Sequence, residues 1–269
     1  TLSSSSAASD VYKRQPRACS SPWKLNLSRL LVLNPNTSTS VTALLQRHAM
    51  AALPVGLECE AVTARFGAPY IACEASYAVA GHAVLDAWAA AVQRGPLASV
   101  LIACFGDPGL HALRERSPAP VTGLAEAAFM EAAAHGRFAI VTGGERWKPM
   151  LERLALGLGF GERLAGIHTV APSGADLAKD PQGARELLRA ACAQAASRFR
   201  ADAIILGGAG LAGQAAGIRE TLDLPLVDSV EAGLRRAIAL AQGEPAAAVG
   251  PVAPSVGWTG VSAELTASG

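Results

Sequence analysis

RLLVLNPNTSTS (29–40) is an apolar strand-length run that breaks at a turn and leads into the helix-patterned VTALLQRHAMAAL. It has a counterpart in RFAIVTGGER (137–146), which leads into WKPMLERLALGL. The pairing continues outward from these two stretches. LECEAVTA (57–64) matches LAGIHTVA (164–171), and ASVLIACFGDPGL (98–110) matches ADAIILGGAGLAG (201–213). APVTGLAEAAFMEAA (119–133) matches LPLVDSVEAGLRRAI (224–238). Long helices are expected over 73–94 and about 181–200, the second with Pro181 suited to a first helical turn. Strand-length apolar runs alternating with amphipathic segments predict parallel βα units. A shared order over four strands predicts two equivalent sheets. The expected fold is therefore α/β, with two pseudo-symmetric parallel-sheet lobes of Rossmann-like, flavodoxin-like type around a cleft.

The expected organisation is a leader over 1–27, a first lobe over 28–135, a second over 136–224 and a tail over 243–269. The segment of about 225–242 is expected to return and complete the first lobe. The leader is polar and Ser-rich, lacks the apolar segment of a signal peptide, and contains SSSSAASDVYKRQ, which resembles translated sequencing-adapter sequence. The Pro/Gly/Ala-rich tail is expected to fold over the surface or to be disordered.

The 269 residues carry a formal net charge of +1 with no Lys/Arg cluster, which argues against nucleic acid or an anionic membrane as partner. No apolar run reaches the ~18 residues of a spanning helix. Five cysteines, at 19, 59, 73, 104 and 192, are an odd number without tight spacing. They read as reduced thiols of a cytoplasmic protein, neither a disulfide frame nor a zinc site. A small-molecule substrate and a homo-oligomer fit this profile.

Ligands of parallel sheets sit at the strands' carboxyl ends, which draws attention to 34–38, 104–109, 142–145 and 207–210. Cys104 follows SVLIA and precedes a Gly/Pro turn into a helix, whose N-terminus is expected to lower the thiol pKa. A small buried hydrophobe is the plain alternative. Cys59, Cys73 and Cys192 are expected inside strands or helices. In NPNTS, Asn36 and Ser38 either cap the next helix or present donors to a carboxylate or imide oxygen, and Pro35 stiffens the turn. Thr142 is the side-chain hydroxyl of the equivalent turn, next to Gly143. Asp107 is expected to cap the helix after Cys104, with a hydrogen bond to the loop as the alternative. His111 reads as a surface helix residue, with an acid of the site as the alternative. Glu126 either caps and charges its own helix or faces the cleft, and the equivalent place of Glu231 favours a structural role for both.

LVLNPNTS, a strand ending in Cys104 and the LG-x-AG pattern of 206–210 together resemble the hydantoin and allantoin racemase branch of the Asp/Glu racemase superfamily, over about residues 29–242. The resemblance implies two opposed cysteines that remove and return a proton beside a carbonyl, with no metal, pyridoxal phosphate or nucleotide cofactor. By position it makes Cys104 the first-half cysteine and Asn36, Ser38 and Thr142 substrate-binding. It also makes the N–H groups of Phe105, Gly106, Ala209 and Gly210 oxyanion donors. Three positions depart from the pattern. Gly208 stands where the second cysteine is implied, Gly143 replaces the second of two threonines, and Ala72 replaces an acidic residue. Glycine supplies no acid or base, so the symmetric two-thiol mechanism is not available as written.

Three other readings remain. A one-thiol decarboxylase or cis–trans isomerase of the same superfamily would protonate a carbanion on one face. A non-catalytic binder of a small carboxylate or ureide would keep only the cleft. GAGLAG (208–213), with Asp228 twenty residues past Gly208, nearly satisfies the dinucleotide fingerprint, though it lies late in the chain.

Overall fold

A computed structural model describes residues 28–171, 174–177, 180–246 and 256–268. The expectations for the leader lie outside these residues. In chain order the first lobe contains β1 (Ser28–Asn34), α1 (Thr39–Ala52), β2 (Leu57–Thr63), α2 (Glu74–Val92), β3 (Ser99–Ile102), α3 (Leu110–Arg116), β4 (Val121–Gly123) and α4 (Leu124–Ala133). The second contains β5 (Phe138–Gly143), α5 (Trp147–Gly157), β6 (Leu164–Val170), α6 (Gly174–Leu177), α7 (Pro181–Phe199), β7 (Ala203–Gly207) and β8 (Leu226–Asp228). Two further helices follow, α8 (Ser229–Ala241) and α9 (Ala263–Ala267). No helix of the described residues is long and apolar enough to cross a membrane.

The two sheets have the same order, β2-β1-β3-β4 and β6-β5-β7-β8, with every pairing parallel. The inner strands β1, β3, β5 and β7 are buried on both faces, which explains their unbroken apolar runs. Their carboxyl ends carry Asn34, Cys104, Thr142 and Gly208. The matched order and matched strand ends are what the internal repeat predicts.

One apolar core joins the lobes. Phe129 of α4 stacks on Phe138 of β5 at 5.4 Å and meets Phe105 edge-on at 6.1 Å. These aromatic contacts hold the carboxyl end of β3 against the second sheet. After β8 the chain returns as α8. Its Gly233 lies against Leu101 of β3 and Leu124 of α4, and the Ala237 carbonyl accepts from the Ser99 hydroxyl at 2.7 Å. In the tail, α9 inserts a buried Leu265 beside α2, and Glu264 pairs with Arg65 at 3.0 Å.

Candidate active site

Four strand ends and α1 enclose a cavity of about 440 Å³. Asn36, Ser38, Cys104, Phe105, Thr142, Gly143, Gly208, Ala209 and Gly210 all line it. Gly106, grouped with them by sequence, stands outside this lining. Its carbonyl accepts from the Tyr77 hydroxyl at 2.7 Å, and the Trp147 ring covers its α-carbon.

The turn after β1 is built by its two amides. Asn34 Nδ2 donates to Asn36 Oδ1 at 2.9 Å, to the Ser38 carbonyl at 3.0 Å and to Thr42 Oγ1 at 3.0 Å. Asn36 Oδ1 also accepts from the Ser38 N–H at 2.9 Å. With its oxygen held by the turn, Asn36 keeps its amide nitrogen as the donor toward the cavity, and that nitrogen donates to no described residue. Ser38 caps α1, accepting from the Val41 N–H. Asn36 therefore presents a donor rather than a cap, while the Ser38 hydroxyl caps α1 and lies 2.9 Å from that of Ser40.

Cys104 is 8 % exposed, at the floor of the cavity. Its thiol is pushed well above the ordinary range, first by burial and then by the negative charge of Asp107. This reverses the expectation of a lowered pKa. Burial and the Asp107 charge are the physical reason, and α3 starts only at Leu110 with Gly109 as its cap, so no helix N-terminus directly follows the sulfur to offset them. Asp107 caps a different helix from the one expected. It adopts a left-handed backbone (φ 50°), and its carboxylate accepts from Ala125 N–H at 2.9 Å and Glu126 N–H at 2.8 Å, at the start of α4. Burial raises this carboxyl to about 7.

On the second lobe, Thr142 Oγ1 donates to the Gly207 carbonyl at 2.8 Å, tying β5 to β7. With its hydroxyl proton engaged, Thr142 faces a ligand as an acceptor. The Gly208 N–H donates to Ser229 Oγ at 3.1 Å, and Gly208 itself has φ +145°, a region side chains rarely adopt. A Cβ built there would be in ordinary contact with Leu211, 3.4 Å away. Backbone conformation, not lack of space, is what favours glycine. The N–H groups of Phe105, Ala209 and Gly210 donate to no acceptor among the described residues, leaving a donor from each lobe at the cavity wall.

The structure adds residues the strand-end rule missed. Tyr70, in the loop after β2, crosses to the second lobe, where its hydroxyl donates to the Gly143 carbonyl at 3.4 Å. Burial raises its phenol pKa, so it is a neutral donor. Trp147 forms part of the wall, and Arg47 and Gln214 also line the cavity.

Several other expectations resolve here. Cys59 lies in β2 and Cys192 in α7, where burial raises both thiols, Cys59 to about 11. Cys73 is not inside a helix but caps α2, where Ser76 hydrogen bonds lower its thiol pKa. Glu126 accepts from Thr122 at 3.1 Å and pairs with Arg114, and Glu231 pairs with Arg219 at 2.6 Å; neither lines the cavity. His111 is exposed on α3. GAGLAG does not form a dinucleotide site. Its residues make a single 3-10 turn (Ala209–Leu211), without the helix N-terminus that would receive a pyrophosphate. The Asp228 carboxylate already accepts from the N–H groups of Gly213, Val230 and Glu231.

Comparison with known proteins bears on the family and the fold. A family model described as Asp/Glu/Hydantoin racemase matches residues 30–237. Hydantoin racemase of Pseudomonas sp. (strain NS671) is 33% identical over 208 residues, which is 77% of this chain and 83% of that protein. Hydantoin racemase of Paenarthrobacter aurescens is 33% identical over 213 residues, 79% and 90% of the two chains. The solved allantoin racemase from Klebsiella pneumoniae superposes with a TM-score of 0.75 at 34% identity, covering 80% of this chain and 88% of its own. Arylmalonate decarboxylase shares the fold at 21% identity, with a TM-score of 0.57 over 81% of this chain and 94% of its own.

Proposed function

Because the chain belongs to the Asp/Glu/hydantoin racemase family, a family of isomerases, we propose that it moves a proton at the acidic carbon of a hydantoin-like or amino-acid-derived molecule, without a cofactor, through the single thiol of Cys104. The observation that carries this reading is one cavity in which Cys104 meets unengaged N–H donors from both lobes, while glycine occupies the equivalent strand end. In its thiolate form Cys104 removes the proton from the carbon, and the bond's electron pair moves into the neighbouring carbonyl. The resulting oxyanion is held by N–H donors such as those of Phe105, Ala209 and Gly210, with Asn36 Nδ2 available to a second oxygen. The same sulfur returns a proton to the same face. Exchange with solvent is therefore faster than inversion, because Gly208 offers no acid on the other face.

Incubating a panel of 5-substituted hydantoins in D2O and following the α-proton by NMR tests this reading. Deuterium uptake above the buffer rate, lost in Cys104→Ser, is the expected result. Uptake equal to the buffer rate for every member would reject it. The single thiol also supports a second reading, decarboxylation of a substituted malonate. There the C–C bond breaks, CO2 leaves, and the electron pair left on carbon takes the Cys104 proton. CO2 release from a phenylmalonate distinguishes the two.

A further inference from the structure

The cavity has a charged end that the proton-transfer chemistry does not use. One face of α1 runs along the wall as Ser40, Val41, Leu44 and Arg47, a helical i, i+4, i+7 stripe. The stripe begins polar beside the NPNTS turn, becomes apolar at Val41 and Leu44, and ends in a guanidinium. Leu211 and Ala212 face the same cavity from the second lobe. Six residues at ~1.5 Å each put Arg47 about 9 Å along the helix axis from Val41. A helical side chain leans toward the N-terminus, so the guanidinium reaches back over Leu44 toward the reacting end.

The charge balance of this wall is one-sided. Arg47 makes no hydrogen bond or ion pair with the described residues, and it is exposed to solvent. Many other arginines of the described chain, such as Arg65, Arg114, Arg153 and Arg235, hold a carboxylate. Among the described residues no Asp or Glu is in the cavity lining. An unpaired guanidinium at the end of an apolar channel matches a carboxylate on a short alkyl stem, which Arg binds through two parallel hydrogen bonds.

Resting on the proposed function, we infer that Arg47 selects the substrate. The preferred molecules are hydantoin-like rings whose ring-carbon substituent ends in a carboxylate, the ring lying at Cys104 and the carboxylate at Arg47. Arg47 is a specificity residue here and takes no part in proton transfer.

The test compares two substrates of similar length, hydantoin-5-propionate and 5-isobutylhydantoin, on the full chain and on Arg47→Gln and Arg47→Lys. Deuterium exchange gives kcat and KM, and calorimetry gives binding of hydantoin-5-propionate independently of turnover. The native chain should favour the propionate in kcat/KM by roughly 10- to 100-fold, the range of a charge-assisted hydrogen-bond pair. Arg47→Gln should bring that ratio toward one, mainly through KM, and Arg47→Lys should restore part of it. Equal use of both substrates by the native chain, or an unchanged ratio in Arg47→Gln, would overturn the inference and leave the proposed function standing. Arg47-dependent binding of the propionate without any exchange would keep the carboxylate site and reject the proposed function. Neither binding nor exchange would overturn both.

Discussion

The backbone N–H of Asp107 donates to the carbonyl of Cys104 at 3.0 Å, while the Asp107 carboxylate caps α4 through two backbone N–H groups. One residue thus fixes the loop that carries the thiol and charges its surroundings. Burial holds this carboxyl at about 7, above the ~3.9 of an unfolded chain. Below pH ~4 both states are protonated. Between about 4 and 7 the unfolded chain releases the proton and the folded chain keeps it, so this group's stabilisation falls as pH rises through that window. Asp107→Asn should flatten the corresponding part of a Tm-against-pH curve. It should also cost about 1–2 kcal/mol at pH 5, because one of two capped N–H groups loses its acceptor. A curve of unchanged slope would show that Asp107 does not titrate there.

Thiol chemistry should follow burial rather than strand-end position. Cys73, half-buried at the cap of α2 and lowered by Ser76, should react with iodoacetamide before Cys104, whose thiol burial and Asp107 hold protonated. Removing the Asp107 charge in Asp107→Asn should speed labelling of Cys104 and leave Cys73 unaffected. Mass spectrometry of timed digests reads both, and prior labelling of Cys104 in the native chain would contradict the burial argument.

A raised thiol pKa also sets the pH profile of turnover. Below that pKa the thiolate fraction grows about tenfold per pH unit. The kcat/KM for deuterium exchange should therefore climb from pH 6 to 9 without a plateau, less steeply near 7, where Asp107 ionises and its charge raises the thiol further. A plateau beginning near neutrality would mean that a different base, or a thiol with an ordinary or lowered pKa, removes the proton.

Gly208 is held by its backbone, and Gly207 by its neighbour. Gly208→Ala should cost about 1–2 kcal/mol from the φ of +145° alone, since Leu211 leaves ordinary room. Gly208→Cys should cost the same and raise inversion relative to exchange, by up to the ~10²–10⁴-fold of a positioned acid–base group. In Gly207→Ala the new Cβ would lie 2.2 Å from the Phe105 ring, where the lobes meet. That variant should lose about 1–3 kcal/mol by overpacking and shift the cavity wall. Chemical denaturation separates the three, and a Gly207→Ala of native stability would mean the junction yields freely.

The repeat was legible because parallel strands buried on both faces leave continuous apolar runs, and the polar or glycine residues that end them lie in loops. NPNTS, Cys104, Thr142 and Gly208 were found that way. Tyr70 and Arg47 were not. Tyr70 lies in an irregular loop whose crossing to the other lobe has no periodic signature. Arg47 occupies a helix face that reads as solvent in any amphipathic pattern. The sequence marks Asp107 as a cap but not which helix it caps, because its partners at 125 and 126 are distant in sequence. The direction of the thiol pKa is hidden for a related reason: strand-end position is visible in sequence, but burial beside a carboxylate is not.

The most direct test of one-thiol chemistry is the ratio of α-deuterium uptake to inversion, measured for each enantiomer of a turned-over 5-substituted hydantoin and corrected for the buffer reaction. The account predicts that one enantiomer takes up deuterium at least 100-fold faster than it inverts, within the range of one positioned acid–base group, and that Cys104→Ser abolishes the uptake. Equal rates of uptake and inversion for both enantiomers would contradict it, because a second acid would then have to serve the face beside Gly208.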